Sequence, residues 1–184
     1  MKVTEELKAE HRAVEVILGV LGAISEDLEK GGAVNAGDME EIIEFLSVFV
    51  DQCHHGKEED FLFPALTVSG LARASDMARE LCAEHEEARE IVGGLEGLFS
   101  AYKKGDEKAA SGIKRAIEEY RELLVEHINK EDTLLFPMAE EKLGAIQDDE
   151  LAVNFEKLEE ERIGPGRHEA FHELLDRLNE KYGA

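Results

Sequence analysis

The sequence predicts an all-α fold, an up-down-up-down four-helix bundle with a C-terminal helical appendage, and three observations predict it. Apolar residues recur at helical spacing along four long segments. The chain repeats itself, the second half of the bundle echoing the first at an offset of 73 or 74 residues. Three short links separate the segments, and only three prolines occur in 184 residues. Short links between long helices leave antiparallel neighbours, as in an up-and-down bundle.

In the first segment Leu7, His11, Val14, Leu18, Leu21 and Leu28 follow a four-three rhythm that skips only Ser25. Such a stripe faces the interior of a bundle. Gly31-Gly32-Ala33-Val34-Asn35-Ala36-Gly37 breaks it. The second segment carries Ile43, Leu46, Val50, His54 and Glu58 on a stripe that drifts around the helix, and its break falls near Val68-Ser69-Gly70. The third runs Leu81, His85, Ala88, Val92, Leu95, Phe99 and Tyr102 to a link at Lys104-Gly105-Asp106. The fourth runs Ile113, Ile117, Tyr120, Leu124, His127, Glu131 and Leu134. Pro64 and Pro137 each remove a backbone donor and are expected to kink or end their helices. The bundle is assigned to residues 1–144 and the extension to 145–184. Within the extension, Asp148 to Arg162 is an acidic helix, Ile163-Gly164-Pro165-Gly166 a turn, and Arg167 to Lys181 a final amphipathic helix. It has no partner within the duplication and is expected to pack on the bundle or on another chain.

The repeat is where chemistry enters. His54-His55-Gly56-Lys57-Glu58-Glu59-Asp60-Phe61-Leu62-Phe63-Pro64 aligns with His127-Ile128-Asn129-Lys130-Glu131-Asp132-Thr133-Leu134-Leu135-Phe136-Pro137. Upstream, Glu6-Leu7-Lys8-Ala9-Glu10-His11 aligns with Glu80-Leu81-Cys82-Ala83-Glu84-His85. The two offsets differ by one residue, so duplication explains them better than coincidence. Residues four apart on a helix point the same way, so His54 with Glu58, and His127 with Glu131, each offer an imidazole beside a carboxylate.

Composition narrows the partners. A formal charge of −22 repels nucleic acid and anionic membrane surfaces. Acidic runs such as Glu156 to Glu161 read as solvated helix faces. No run approaches the roughly 20 apolar residues that cross a bilayer. The charged start, Met1-Lys2-Val3-Thr4-Glu5-Glu6, is unlike a signal peptide. Two cysteines, Cys53 and Cys82, imply a reducing compartment rather than a disulfide framework. A cytoplasmic location is expected. Both cysteines are expected to pack as small core residues, with a metal-adjacent thiol sensor as the alternative.

The stripes place His11, His85, His127 and Glu131 among leucines and valines, joined by His54 and Glu58. A lone core histidine is ordinarily a hydrogen-bonded structural residue. Two matching trios of histidine, histidine and glutamate do not fit that account, because each uncompensated buried group costs several kcal/mol. A pair of metal ions compensates all six. Imidazole nitrogen with carboxylate oxygen suits first-row metals, iron above all where oxygen chemistry is involved. A structural zinc site rich in cysteine, the His-Glu-x-x-His protease motif and the ferritin-like arrangement of Glu-x-x-His pairs all fail to match. The chain's single Glu-x-x-His, Glu169 to His172, lies in the extension.

The order His, His-x3-Glu, His, His-x3-Glu resembles the hemerythrin-like proteins with the HHE cation-binding domain, over roughly residues 5 to 142. The resemblance implies a non-haem di-iron centre, two iron ions held by His11, His54, Glu58, His85, His127 and Glu131, with Glu58 and Glu131 as bridges. Oxygen-carrying hemerythrins have a further histidine four residues after the third-helix ligand, and Arg89 stands there in this chain. His55, Glu59, Glu10, Glu84, His168 and His172 are candidates for an additional ligand. His55 and Glu59 lie one residue out of register with the preferred pair and are expected to have no counterpart in the second repeat.

The leading expectation is a protein that binds dioxygen or another small diatomic or peroxide ligand for storage, delivery or sensing. The alternatives are a di-iron redox enzyme reducing peroxide, nitric oxide or dioxygen, and iron storage or donation. A homo-oligomer or a signalling partner is expected to engage the C-terminal extension.

Overall fold

The computed structural model describes residues 1–164 and 166–183, and all its regular structure is helical. Helix α1 spans Lys2–Glu29 and stops where Gly31 takes a positive φ of 84°. Glycine adopts that left-handed conformation without a side-chain clash. Asn35 then caps α2, its side chain accepting from the Asp38 N–H. Helix α2 covers 36–68, α3 Ala72–Lys103 and α4 109–142. Helices α5 (Ala145–Arg162) and α6 (Arg167–Tyr182) form the extension. In the expected turn before α6, Gly164 and Gly166 have φ of 85° and 80°, while Pro165 lies outside the described residues. No described helix is long and apolar enough to cross a membrane.

Helices α2 and α4 are not uniform. Phe45–His55, Glu58–Leu62 and Glu131–Leu135 are π-helical, with wider turns than the α-helical stretches around them. This accounts for the drifting stripe of the second segment. It also corrects the fourth stripe, since Leu134 is exposed and Leu135 is the buried residue. Of the two outcomes expected at Pro64 and Pro137, ending the helix is corrected. Neither ends its helix, because each sits at the start of an α-helical stretch, Phe63–Val68 or Phe136–Lys142, that follows a π-helical turn. A missing N–H at that position removes no bond the stretch requires.

Two apolar clusters fill the bundle. One contains Val14, Val50, Ala88 and Leu124, the other Leu7, Leu62, Leu81 and Leu135. Along α1 and α3 the chain passes from the second cluster to the first, and along α2 and α4 it passes back. That alternation is the up-down-up-down path. His11, His54, Glu58, His85, His127 and Glu131 fall between the clusters on all four helices, forming one polar layer across an apolar core.

The extension packs on the bundle. Phe171, Leu174, Leu175 and Leu178 of α6 join the first cluster, and Leu151 and Phe155 of α5 join the second. The acidic run from Glu156 to Glu161 is not wholly a solvated face. Leu158 is buried, and Glu159 turns inward to a lysine of α2.

Candidate metal centre

Four helices each bring one histidine to the polar layer, and the rings meet in two pairs. His11 Nε2 lies 3.1 Å from His54 Nε2, and His85 Nε2 lies 3.1 Å from His127 Nε2. Two imidazoles at right angles on one ion, each about 2.1 Å from it, have nitrogens about 3.0 Å apart. The glutamates lie between the pairs. Glu131 Oε2 is 3.1 Å from His11 Nε2 and 3.3 Å from His127 Nε2. Glu58 Oε2 is 3.8 Å from His54 Nε2 and 3.5 Å from His85 Nε2. Both glutamates are wholly buried, and none of their four carboxylate oxygens is hydrogen-bonded. The structure thus gathers all six sequence-predicted residues.

Each histidine is aimed from behind. Its Nδ1 meets a carboxylate: His11 with Asp132 at 2.8 Å, His54 with Glu10 at 2.8 Å, His85 with Glu59 at 2.7 Å, and His127 with Glu84 at 2.9 Å. An ionised carboxylate only accepts, so Nδ1 carries the proton and Nε2 is left to face the centre. Glu10, Glu59 and Glu84 therefore orient histidines rather than entering the centre themselves. Their pKa values are lowered, because hydrogen bonds to histidine and charges of neighbouring Lys57, Arg89 or Lys130 outweigh the effect of burial.

The titration pattern shows where positive charge is wanted. Burial disfavours the His11 cation, but Asp132 and Glu131 outweigh it and raise its pKa to about 9. Burial likewise acts on His127, and Glu131 and Glu84 raise it to about 9. Their partners His54 and His85 are lowered by burial and by the neighbouring imidazole. One proton per pair thus stands in for a cation. The two glutamates split. Burial and the Glu131 charge push Glu58 well above the carboxylate range, whereas His127 and His11 overcome burial and hold Glu131 well below it.

The remaining candidates fall elsewhere. His168 donates from Nδ1 to Glu159 at 3.0 Å and stacks edge-on against Phe49, with His172 beside it. Arg89 does not face the centre despite its four-residue spacing from His85. It pairs with Asp51 at 2.6 Å, Glu86 at 2.7 Å and Glu59 at 2.8 Å. Cys53 is buried, and desolvation pushes its thiol up to about 12, so it is no ready thiolate. His55 is buried within the cluster, its ring stacked on His85.

Sequence reasoning assigned no role to Lys57 or Asp132, although both match across the repeat. Lys57 is wholly buried and donates to Glu10 at 2.5 Å, Glu6 at 2.7 Å and Glu159 at 3.2 Å. Lys130, its counterpart, pairs with Glu80 at 2.7 Å and also with Glu84. Each lysine steadies the carboxylate behind a histidine.

Comparison with known proteins agrees with this geometry. The chain is 23% identical over 174 residues to the uncharacterized proteins Rv1995 of Mycobacterium tuberculosis and Mb2018 of Mycobacterium bovis, covering 95% of its own length. It spans 66% of the length of those relatives. No solved structure gives a significant match. The family model for the hemerythrin HHE cation-binding domain matches residues 2–139, and the chain belongs to that family.

Proposed function

We propose that the polar layer holds two iron ions and binds dioxygen or a related small ligand, for storage, delivery or sensing. One observation carries the proposal: two facing pairs of imidazole nitrogens flank two carboxylates whose four oxygens have no hydrogen-bond donor. His11 and His54 would hold one ion, His85 and His127 the other, and Glu58 and Glu131 would contact both. Nitrogen and oxygen donors without thiolate favour iron over a sulfur-bound zinc site. When bound, a ferrous pair supplies electrons to an incoming small ligand.

The chain's own part is orientation and dryness. Four carboxylates fix the histidine tautomers, and the apolar clusters above and below keep bulk water from the layer. A cleft of about 190 Å³ between α2, α3 and α4 reaches His55, with Asp51, Gln52 and Arg89 on its walls. With a carboxylate, an amide and a guanidinium on its walls, such a cleft would give small solutes and protons an approach from one side. It favours a second reading, redox turnover of peroxide, nitric oxide or dioxygen by the same centre.

Anaerobic iron reconstitution followed by elemental analysis tests the first claim, with two irons per chain expected. One zinc, or no retained transition metal, would refute it. Exposing the ferrous protein to dioxygen and then removing the gas separates the readings. A binder returns to its starting absorption spectrum, whereas an enzyme consumes dioxygen continuously when given a reductant.

A further inference from the structure

His55 breaks the symmetry of the repeat, since the matching position in the second half is Ile128. An apolar residue there meets no penalty, but the histidine does. It is 2% exposed, and neither ring nitrogen has a hydrogen-bond partner. A buried polar group left unpaired is costly, so a compensating partner is called for.

The surroundings identify the partner. His55 lies stacked on His85, with ring centroids 3.8 Å apart and planes 12° from parallel, so its ring has to turn about the Cβ–Cγ bond before both imidazoles can point at one ion. One of its nitrogens lies within 4.8 Å of ligand atoms on both His85 and His127. Its Nδ1 faces Asp51 Oδ1 at 3.6 Å, too far for a direct hydrogen bond but in the same sense as the other four histidines. Asp51 is in turn held by Arg89. Nδ1 thus looks toward a carboxylate, which leaves Nε2 for the centre. Along the π-helical path of Phe45–His55 successive residues diverge less than on an α-helix, and both His54 and His55 are buried.

We infer that His55 is a third imidazole ligand for the ion held by His85 and His127, so that the two ends of the centre are unequal. The inference rests on the two-ion proposal above. It supplies a further histidine from α2 where Arg89 leaves no second one on α3.

Titration of metal-free protein with cobalt(II), followed by absorption and by chelator competition, tests it. Wild type, His55→Ala and His55→Phe are compared, the phenylalanine retaining a ring against His85 but offering no nitrogen. Wild type is expected to take up two ions. Both variants should bind one ion normally and the other at least about 100-fold more weakly, the upper end of what losing an outer partner costs. Because His55 lines the cleft, added imidazole should enter the space in His55→Ala and restore the weakened ion. It should not do so in His55→Phe, where the ring fills that space. A folded His55→Phe protein that binds both ions with wild-type affinity would overturn the inference. So would one that loses both ions, since the assignment is to one end only. If His55→Ala fails to fold, His55→Phe decides alone. A wild-type chain that binds fewer than two ions overturns the two-ion proposal itself, and that failure is read from the wild-type curve without reference to His55.

Discussion

Replacing Lys57 by methionine leaves the shape of the stem and removes the charge. The ammonium is wholly buried beneath Phe155 of α5, whose ring centroid is 5.7 Å away, and it faces three carboxylates. Of these, Glu10 is the one that cannot turn to water, being 4% exposed. Breaking a buried pair by removing one partner costs roughly 3–5 kcal/mol, because the other charge stays behind. At about 2–4 °C per kcal/mol for a chain of this size, melting of metal-free Lys57→Met should fall by roughly 6–20 °C. The counterpart provides the control. Lys130 is 30% exposed and its partners Glu80 and Glu84 are 58% and 14% exposed, so Lys130→Met strands no sealed charge and should cost about 1 kcal/mol. Adding Glu10→Gln to Lys57→Met should recover most of the loss, since glutamine still accepts from His54 and no charge is stranded. Thermal unfolding followed by circular dichroism, with chelator present, measures all three variants. Equal losses at the two lysines, or no recovery in the double variant, would refute the assignment of Lys57 to the buried charge network.

Glu10→Ala and Glu84→Ala should each weaken metal binding by about 10- to 100-fold in chelator competition, because each frees a histidine to turn; unchanged affinity would count against their orienting role. His54→Ala and His127→Ala should release metal outright, and elemental analysis showing full occupancy would exclude those histidines as ligands. Metal uptake near neutral pH should release protons, because His11 and His127 stay protonated in the metal-free chain below about 9. Affinity should therefore strengthen as pH rises toward that value and weaken as it falls, and a weakly buffered titration with no acidification would contradict this. Metal removal should speed hydrogen exchange around residues 50–60, 82–90 and 124–133, where the glutamates lose their counter-charge; equal protection in both forms would argue against a buried site.

Much of the bundle was legible because the relevant signals are periodic or repeated. The α1 and α3 stripes needed only the helical period, and the six-residue layer needed only the duplication. What escaped was local backbone geometry. A π-helical turn inserts a shift that single-residue spacing does not reveal, so spacing puts Leu134 inside where Leu135 sits, and Pro64 and Pro137 are expected to kink or end helices that run through them. His55 ranks only as a candidate extra ligand when the helix is taken as regular, since it lies one residue from His54; the π-helical stretch brings successive residues closer in direction. The orienting carboxylates were in plain view, since Glu10 matches Glu84 and Glu59 matches Asp132 across the repeat. Spacing makes Glu10, Glu59 and Glu84 candidate ligands and passes over Asp132, because it does not say whether an acid meets a metal or a ring nitrogen. Arg89 shows the same limit, its four-residue step from His85 leading to acidic partners instead of the centre.

The departures from two-fold symmetry point to what the extension does for the site. Lys57 and Lys130 occupy matching places, and both steady a glutamate behind a histidine, yet only Lys57 is sealed from solvent. The difference is α5. Phe155 lies over its ammonium, Leu158 is buried alongside, and Glu159 adds a third carboxylate. Hydrogen bonding to His168 of α6 and the charge of Lys57 lower the Glu159 pKa to about 2, keeping that carboxylate ionised. A chain of polar contacts therefore runs from α6 through Glu159, Lys57 and Glu10 to His54, without an equivalent on the His127 side. Glu159→Gln separates this network from mere cover, because it leaves the apolar packing of α5 in place while removing one charge. It should weaken metal binding at the His11–His54 pair and leave the His85–His127 pair unchanged. Equal weakening at both pairs would mean that the extension stabilises the bundle as a whole and does not act through Lys57.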